Sequence, residues 1–156
     1  MSQLNALSGD SNDLYNLGRF VLAQKADYNQ ALSEIKKGRK RSHWMWYIFP
    51  QFKGLGRSHT SQLYAIKSVA EAKAYLSHPV LGPRLTACAE ALLQVEGRSA
   101  NEIFGSPDDS KLRSCATMFA QVSPAGSVFE RVLSKYFQGK RDRTTLDLLG
   151  VAPGDG

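Results

Sequence analysis

The chain has 156 residues, of which 42% are hydrophobic, and this length and composition suit one domain with its own core. Lys, Arg, Gln or Pro interrupt every long apolar stretch within a few residues, so we expect no transmembrane helix and no membrane association. The amino-terminal segment lacks the basic and apolar regions of a signal peptide, which makes a cytoplasmic protein the expectation.

The first structural signal along the chain is a long amphipathic segment. Apolar side chains recur every three or four residues over 14–35, which predicts one helix over about 13–37. Ser11 and Asn12 are candidate caps of its start, and Gly38 is the expected end.

The two ends of the chain are rich in Gly, Ser, Asn and Pro, and no linker, repeat or low-complexity segment lies between them. We therefore predict disordered tails over 1–12 and 150–156, on either side of a single helical domain over 13–149.

Further helices are predicted from signals at their amino-terminal ends. Three segments begin with a Ser-x-x-Glu capping box, at Ser68/Glu71, Ser99/Glu102 and Ser127/Glu130. A fourth begins with Ser-Pro-Asp-Asp at 106–109, which puts a capping hydroxyl before Pro at the first helical position and acids at the positive end of the dipole. Apolar stripes also mark a helix over about 79–96 and a short turn over 144–149. These patterns predict an all-α, single compact multihelical domain with about six to seven helices and no sheet.

The cysteine and histidine residues give no sign of a metal site. Cys88 and Cys115 each lie on an apolar helical face, which is typical of buried, reduced thiols. His43, His59 and His78 do not have the spacing of zinc ligands. We therefore expect no metal, and no cofactor-binding motif is found.

An aromatic segment over 43–49 contains both tryptophans of the protein. Its composition favours a strand, but the chain has no second strand-like run to pair with it. We therefore predict a short buried helix or helical turn that ends at Pro50. Trp44, Ile48 and Phe49 are expected in the core, whereas Trp46 and Tyr47 are as consistent with a binding surface as with the core.

The same region carries most of the positive charge, and we call residues 36–67 the basic window. It has eight Lys and Arg residues and no acid, whereas the whole chain has a net charge of +6, so the rest of the chain is slightly acidic. Charge of this density next to aromatic side chains is typical of a surface that binds anions or nucleic acid.

The basic window contains the predicted ligand-binding residues. Two glycines between Lys53 and Arg57 would let backbone N–H groups approach a bound phosphate or carboxylate. The candidate ligand-binding residues are Arg39, Arg41, His43, Trp46, Tyr47, Gln51, Lys53, Arg57 and Ser58.

These residues also have structural interpretations. The cations before residue 42 follow a helix carboxyl end, where the dipole favours positive charge, and His43 is consistent with a buried structural histidine. A second polar group near Arg113 and Ser114 either extends the ligand site or covers the surface.

Several segments resemble a known bacterial family. They are Leu17–Gln24, Gly38–Gln51, Tyr64–Ile66, His78–Gly82 and Ile103–Asp108, which occur in family order over about 13–147. The family is catalogued as domain of unknown function 1810, and the resemblance implies one multihelical domain without an established activity or catalytic residue. Some members carry the label calpastatin, but this compact sequence does not resemble that disordered inhibitor.

Three functional hypotheses follow. The first is a pocket for a small anionic ligand, nucleotide-like or phosphate-bearing, in which His43 donates a hydrogen bond or acts as an acid or base. The second is a nucleic-acid-binding helical module that uses the whole basic window, and the third is an interaction domain for an acidic protein partner. No nucleophile–base pair and no pair of catalytic carboxylates is found, so the sequence predicts no reaction.

Overall fold

Residues 13–151 are described by the structure, a computed structural model, and they form nine α-helices. The helices are α1 Gly18–Lys36, α2 Met45–Ile48, α3 His59–Leu63, α4 Val69–Ser77, α5 Leu81–Gln94, α6 Ala100–Phe104, α7 Asp108–Gln121, α8 Val128–Phe137 and α9 Arg143–Leu149. No strand forms within this range, and one isolated parallel bridge pairs Phe52 with Ile66. The predicted all-α domain is confirmed.

The start of α1 lies later than predicted, at Gly18 instead of near Asp13. The Asp13 carboxylate accepts the backbone N–H groups of Leu17 at 2.7 Å and Gly18 at 2.9 Å, and so caps the first turn. Asn16 has a φ of +53°, which keeps the residues before α1 out of the helix. The proposed caps Ser11 and Asn12 lie outside the described residues.

The three predicted Ser-x-x-Glu signals all mark helix starts. Ser68, Ser99 and Ser127 each accept the backbone N–H group three residues later, and so cap α4, α6 and α8. The reciprocal bond from the glutamate completes the capping box at Ser99. The other two glutamates instead accept the backbone N–H one residue before the cap and also pair with arginine side chains. The hydroxyl caps are therefore local, and two of the glutamates add tertiary contacts to a local one.

Two other helix starts differ from prediction. Helix α7 begins at Asp108 with Pro107 as its cap residue, one position later than expected, and no side chain caps it. Helix α3 was not predicted at all. It begins after Ser58, whose Oγ accepts the N–H of Ser61 at 3.0 Å.

Helix α9 ends at Leu149, and two residues that were predicted to belong to a tail, Gly150 and Val151, cap its carboxyl end. Gly150 has a φ of +84° and donates its N–H to Asp147, while Val151 donates to Leu146. These bonds satisfy the last carbonyl groups of α9. The rest of the predicted carboxyl tail, 152–156, and the predicted tail over 1–12 lie outside the described residues.

The core forms around α5 and α7. Helix α5 packs against α1, α4 and α8, and α7 packs against α4, α6, α8 and α9. Every residue of α7 from Ser114 to Ala120 is buried. The aromatic segment adds α2 to this core, and Trp44, at 0% exposure, is among its largest side chains. Ile48 and Phe49 are also buried, as predicted.

Neither a membrane segment nor a metal cluster is found within the described range. None of the helices over 13–151 combines the length and the apolarity needed to cross a bilayer. The same residues contain no group of three or more His, Cys, Asp or Glu side chains arranged to hold a metal ion.

Both cysteines are buried free thiols, and we expect them to be unreactive in the native protein. Burial raises the pKa of the Cys88 thiol to about 12, against a smaller opposing effect of Arg84, and burial likewise raises the pKa of Cys115. A thiol reagent at pH 8 should therefore label neither cysteine until denaturant is added. Cys88→Ala should cost on the order of 1 kcal/mol of stability through lost packing. Rapid labelling of the native protein would contradict this assignment.

Candidate functional site

The basic window is divided between the two ends of α1. The 19 residues of this helix span about 28 Å at 1.5 Å per residue. At its start, the Arg19 guanidinium donates to the carbonyl oxygens of Leu63 and Ala65, both at 2.8 Å. Arg19 also pairs with Glu71 at 2.8 Å, and Glu71 accepts the backbone N–H of Lys67. Lys67 therefore lies at the start of α1, whereas Lys36 lies at its end.

This division defines two basic surfaces. The exposed cations at the end of α1 form what we call the helix-end cluster: Lys36, Lys37, Arg39 and Arg41. Lys40 lies in the same loop but is turned inward toward Asp108. The other three cations of the window, Lys53, Arg57 and Lys67, lie on the other side, where the bridge between Phe52 and Ile66 joins their segments.

A cavity of about 180 Å³ lies beside this second group, and we call it the aromatic cavity. Its apolar wall is formed by Met45, Trp46, Phe49, Phe52, Tyr64 and Ala65. Its polar wall is formed by Gln51, Lys53, Ser61, Gln62, Lys67 and Lys111, with Gly54 and Gly56 between them. Among residues 13–151, three lysines and no carboxylate line it, so this wall is electropositive.

Several polar side chains on this wall make no ion pair or hydrogen bond within the described residues. Among residues 13–151, no ion pair involves Lys53 or Lys67. The side chains of Trp46, Tyr64 and Gln51 likewise make no hydrogen bond within the described part of the chain, although all three line the cavity. The indole N–H, the phenol, the amide and the two ammonium groups are therefore available to a ligand.

Two glycines bring the cavity wall close to α3. A Cβ atom on Gly56 would lie 2.5 Å from the Cβ of Ser61, so no larger residue fits without movement of the chain. Gly54 has a φ of +97°, a conformation that side chains disfavour. The glycine spacing noticed in the sequence thus shapes the loop, and Ser58 holds the adjoining helix.

A shallower depression of about 360 Å³ continues from the cavity, and we call it the outer groove. The two share Gln51, Gly56, Ser61 and Lys111, and the groove adds residues from α7 and α9. Lys111 stands between them, with its ammonium 5.4 Å from the centroid of the Trp46 ring and 3.4 Å from an Asp108 carboxylate oxygen. It is the cation best placed to contact a ligand that fills both spaces.

The second polar group predicted from the sequence, Arg113 and Ser114, is divided between the outer groove and a structural contact. Ser114 lines the outer groove, where it is 5% exposed and its Oγ donates to the carbonyl of Ser110. Arg113 donates to the carbonyls of Lys140 and Arg141, which joins α7 to the start of α9. Arg113 is therefore structural.

The predicted ligand-binding residues do not all meet. Trp46, Gln51 and Lys53 line the aromatic cavity. The other predicted residues lie outside its wall: Arg39, Arg41, His43, Tyr47, Arg57 and Ser58.

The structure places two further residues of the segment, His43 and Tyr47, outside the cavity wall. His43 is exposed, so its interpretation as a buried structural histidine is wrong. The Tyr47 hydroxyl donates to the Asp27 carboxylate, and burial together with this bond raises its pKa. Tyr47 is also stacked obliquely on Tyr64 at 5.2 Å, so it supports the cavity wall from behind.

Sequence reasoning missed Glu34, a glutamate that is only 3% exposed. One of its oxygens accepts the backbone N–H groups of Arg41 at 2.8 Å and Ser42 at 3.0 Å, and the indole N–H of Trp44 at 2.9 Å. The other accepts the Ser42 hydroxyl at 2.6 Å and the Gln30 amide at 2.7 Å. The sequence did contain one signal for this role, because Glu34 is an acidic residue next to Ile35 on the buried face of α1.

The hydrogen bonds keep Glu34 ionised in the interior. Burial opposes the charged form, but the bonds from side chains and backbone outweigh it and lower the pKa of Glu34 to about 2. The carboxylate therefore fixes the segment that leads from α1 into α2.

Gln24 adds a second connection between α1 and α2. Its amide donates to the carbonyl of Tyr47 at 2.7 Å and to the Tyr75 hydroxyl at 3.0 Å. With Asp27 and Glu34, it makes three polar contacts from one face of α1 to the aromatic segment. These contacts hold α2, which carries Trp46, against the core.

Comparison with known proteins agrees with this fold. The family described as protein of unknown function DUF1810 matches residues 14–149. The chain belongs to this family. It is also similar to the conserved hypothetical protein Rv1873 from Mycobacterium tuberculosis, whose crystal structure matches with a TM-score of 0.86 at 49% identity. That match covers 88% of this chain and 99% of the other. No curated protein matches the chain significantly.

Removal of the Glu34 carboxylate should destabilise the protein strongly. Glu34→Ala leaves several buried N–H groups without an acceptor, and we expect a loss of about 3–5 kcal/mol in the free energy of unfolding at pH 7. Glu34→Gln keeps the shape but turns a donor toward other donors, so its loss should be about 1.5–3 kcal/mol. Urea unfolding measures both. Glu90→Gln, a change at an exposed glutamate of α5, is the control and should stay within about 0.5 kcal/mol of wild type.

The same contact makes stability depend on pH. Because the folded pKa of Glu34 lies below its ordinary value of 4.5, its contribution is present above pH 4.5 and is lost as the pH falls toward about 2. The stability difference between wild type and Glu34→Gln should therefore shrink over that interval. A difference that is constant with pH would contradict the assigned role.

Proposed function

We propose that the aromatic cavity and the outer groove together bind a small anionic ligand that contains a planar ring, such as a nucleotide or a related phosphate-bearing compound. The observation that carries this proposal is the convergence of three lysines, four aromatic side chains and a free amide on one cavity that no carboxylate of the described residues lines. Lys53 and Lys67 come from segments joined by the bridge, and Lys111 comes from α7, so tertiary structure brings the three charges together.

The available polar groups favour a ligand rich in hydrogen-bond acceptors. The ammonium groups of Lys53 and Lys67, the indole N–H of Trp46 and the phenol of Tyr64 are donors, and the Gln51 amide can donate as well as accept. Phosphate and carboxylate oxygens are acceptors with negative charge, and they form the stronger, charge-assisted type of hydrogen bond with ammonium groups. The apolar wall supplies a surface for a ring.

The size of the cavity indicates which part of such a ligand would lie inside it and which part would lie in the outer groove. At about 180 Å³, the cavity is smaller than the ~300–1,000 Å³ typical of ligand sites. One ring fits inside it, and the rest of the ligand extends into the outer groove past Lys111. A ligand of this type would contact both spaces at once.

The lining residues support binding more directly than catalysis. No Asp, Glu, His or Cys lines the aromatic cavity among the described residues; its lysines and Tyr64 are assigned to ligand binding, and Asp142 of the outer groove is used to cap α9. We therefore propose a binding protein, and we assign no catalytic residue.

A thermal-shift screen against nucleotides and phosphate-bearing metabolites tests the proposal. At about 100 times its dissociation constant, a ligand stabilises the fold by roughly 2.7 kcal/mol. For a domain of this size, that corresponds to a rise of about 5–10 °C in Tm. Lys53→Ala and Lys67→Ala should each reduce the rise, because they remove charge from the cavity. Both side chains are exposed, so the ligand-free Tm should change little.

Arg41→Ala is the matched control, because it removes an exposed cation of the same basic window that does not line the cavity. It should keep the full rise in Tm. A screen without any shift would contradict the proposal. So would a shift that disappears in Arg41→Ala but persists in Lys53→Ala, because the ligand would then lie at the other end of α1.

A further inference from the structure

The helix-end cluster is a second basic surface that the aromatic cavity does not use. Lys36, Lys37, Arg39 and Arg41 are all exposed, and no ion pair within residues 13–151 involves any of them. The dipole of α1 accounts for the two lysines, which lie at its negative end. It does not account for the two arginines, which lie beyond the last turn.

The side chains of the loop after α1 alternate in direction. Lys40 is turned inward: its ammonium lies 2.9 Å from Asp108, donates to the carbonyl of Ser42, and its side chain is only 9% exposed. Its neighbours Arg39 and Arg41 are exposed on either side. The loop thus neutralises one cation in the interior and presents the other two to solvent.

The backbone that carries these arginines is fixed at several points. The Gly38 carbonyl accepts from the Arg98 guanidinium at 2.8 Å, and the N–H of Lys40 donates to the Ile103 carbonyl at 2.7 Å. Glu34 accepts the N–H of Arg41. A partner that binds here does not have to order the loop, which reduces the entropic cost of association.

The composition of this surface favours phosphate groups over a protein partner. Protein interfaces depend on a few well-buried anchors, usually aromatic or large apolar side chains with arginine. The large hydrophobic side chains exposed within the described range are Leu14, Leu22, Leu63, Val69 and Leu148, and none belongs to the loop or to the last turns of α1. Arginine, in contrast, binds phosphate with two parallel hydrogen bonds.

We propose that the helix-end cluster binds the phosphate backbone of nucleic acid without reading its sequence. The four cations supply the charge for phosphate contacts, and the cluster itself contains no aromatic ring or amide side chain. The cluster lines neither the aromatic cavity nor the outer groove, so this binding does not use the residues proposed to hold the small anionic ligand.

Titration of a short fluorescent DNA duplex of mixed sequence at several salt concentrations tests this proposal. If four phosphates are neutralised, the logarithm of the binding constant should fall with the logarithm of salt concentration with a slope of about −3.6. Arg39→Ala with Arg41→Ala should weaken binding and reduce the slope to about −1.8. The double lysine variant, Arg39→Lys with Arg41→Lys, keeps the charge and should keep the slope near that of wild type.

A double variant of the aromatic cavity provides the matched control. Lys53→Ala with Lys67→Ala removes the same number of charges from the chain but should leave the slope unchanged. Equal losses from both double alanine variants would overturn the proposal, because net charge alone would then explain binding. No binding at about 50 mM salt would overturn it as well. Displacement of the duplex by poly-glutamate at equal charge would reassign the cluster to an acidic protein.

Discussion

The segment that joins α1 to α2 depends on a buried carboxylate, that of Glu34. Its two oxygens accept hydrogen bonds from the backbone of Arg41 and Ser42, from the Ser42 hydroxyl and from the indole of Trp44. Without this acceptor, a stretch with three consecutive cations would have to enter the core with its N–H groups unsatisfied. With it, Trp44 is completely buried and α2 begins at the next residue. The path of the chain into the aromatic segment therefore depends on this carboxylate, while Gln24 and Asp27 hold Tyr47 further along the segment.

The same interaction separates the two basic surfaces. Because Glu34 holds the loop after α1 in place, Arg39 and Arg41 face solvent at one end of the helix. Beyond the loop, α2 carries Trp46 to the aromatic cavity, where Lys53, Lys67 and Lys111 converge. Two anion-binding proposals therefore rest on one structural feature, although they use different residues. A change at Glu34 should disturb both, whereas a change at Arg41 or Lys53 should disturb one.

Local signals in the sequence predicted the parts of the fold that are determined locally. Helix periodicity and serine caps depend on neighbouring residues, and the caps at Ser68, Ser99 and Ser127 are confirmed. The cavity could not be predicted in the same way, because Lys111 joins it from α7 and its apposition to Trp46 is a tertiary contact. Glu34 was missed for a similar reason, since its partners lie up to ten residues ahead in a loop without a regular pattern. The continuous run of charge in the basic window also concealed that its first and last cations, Lys36 and Lys67, lie at different ends of α1. This separation follows from the length of the helix.

Amide hydrogen exchange at the loop tests the central role of Glu34 most directly. In the wild-type protein, the N–H groups of Arg41 and Ser42 and the indole N–H of Trp44 should exchange slowly, because each donates to a buried carboxylate. In Glu34→Gln these three protons should exchange much faster, while the amides in the middle of α7 keep their protection. Unchanged protection of Arg41, Ser42 and Trp44 in the variant would show that the loop is held by other contacts, and would contradict this account.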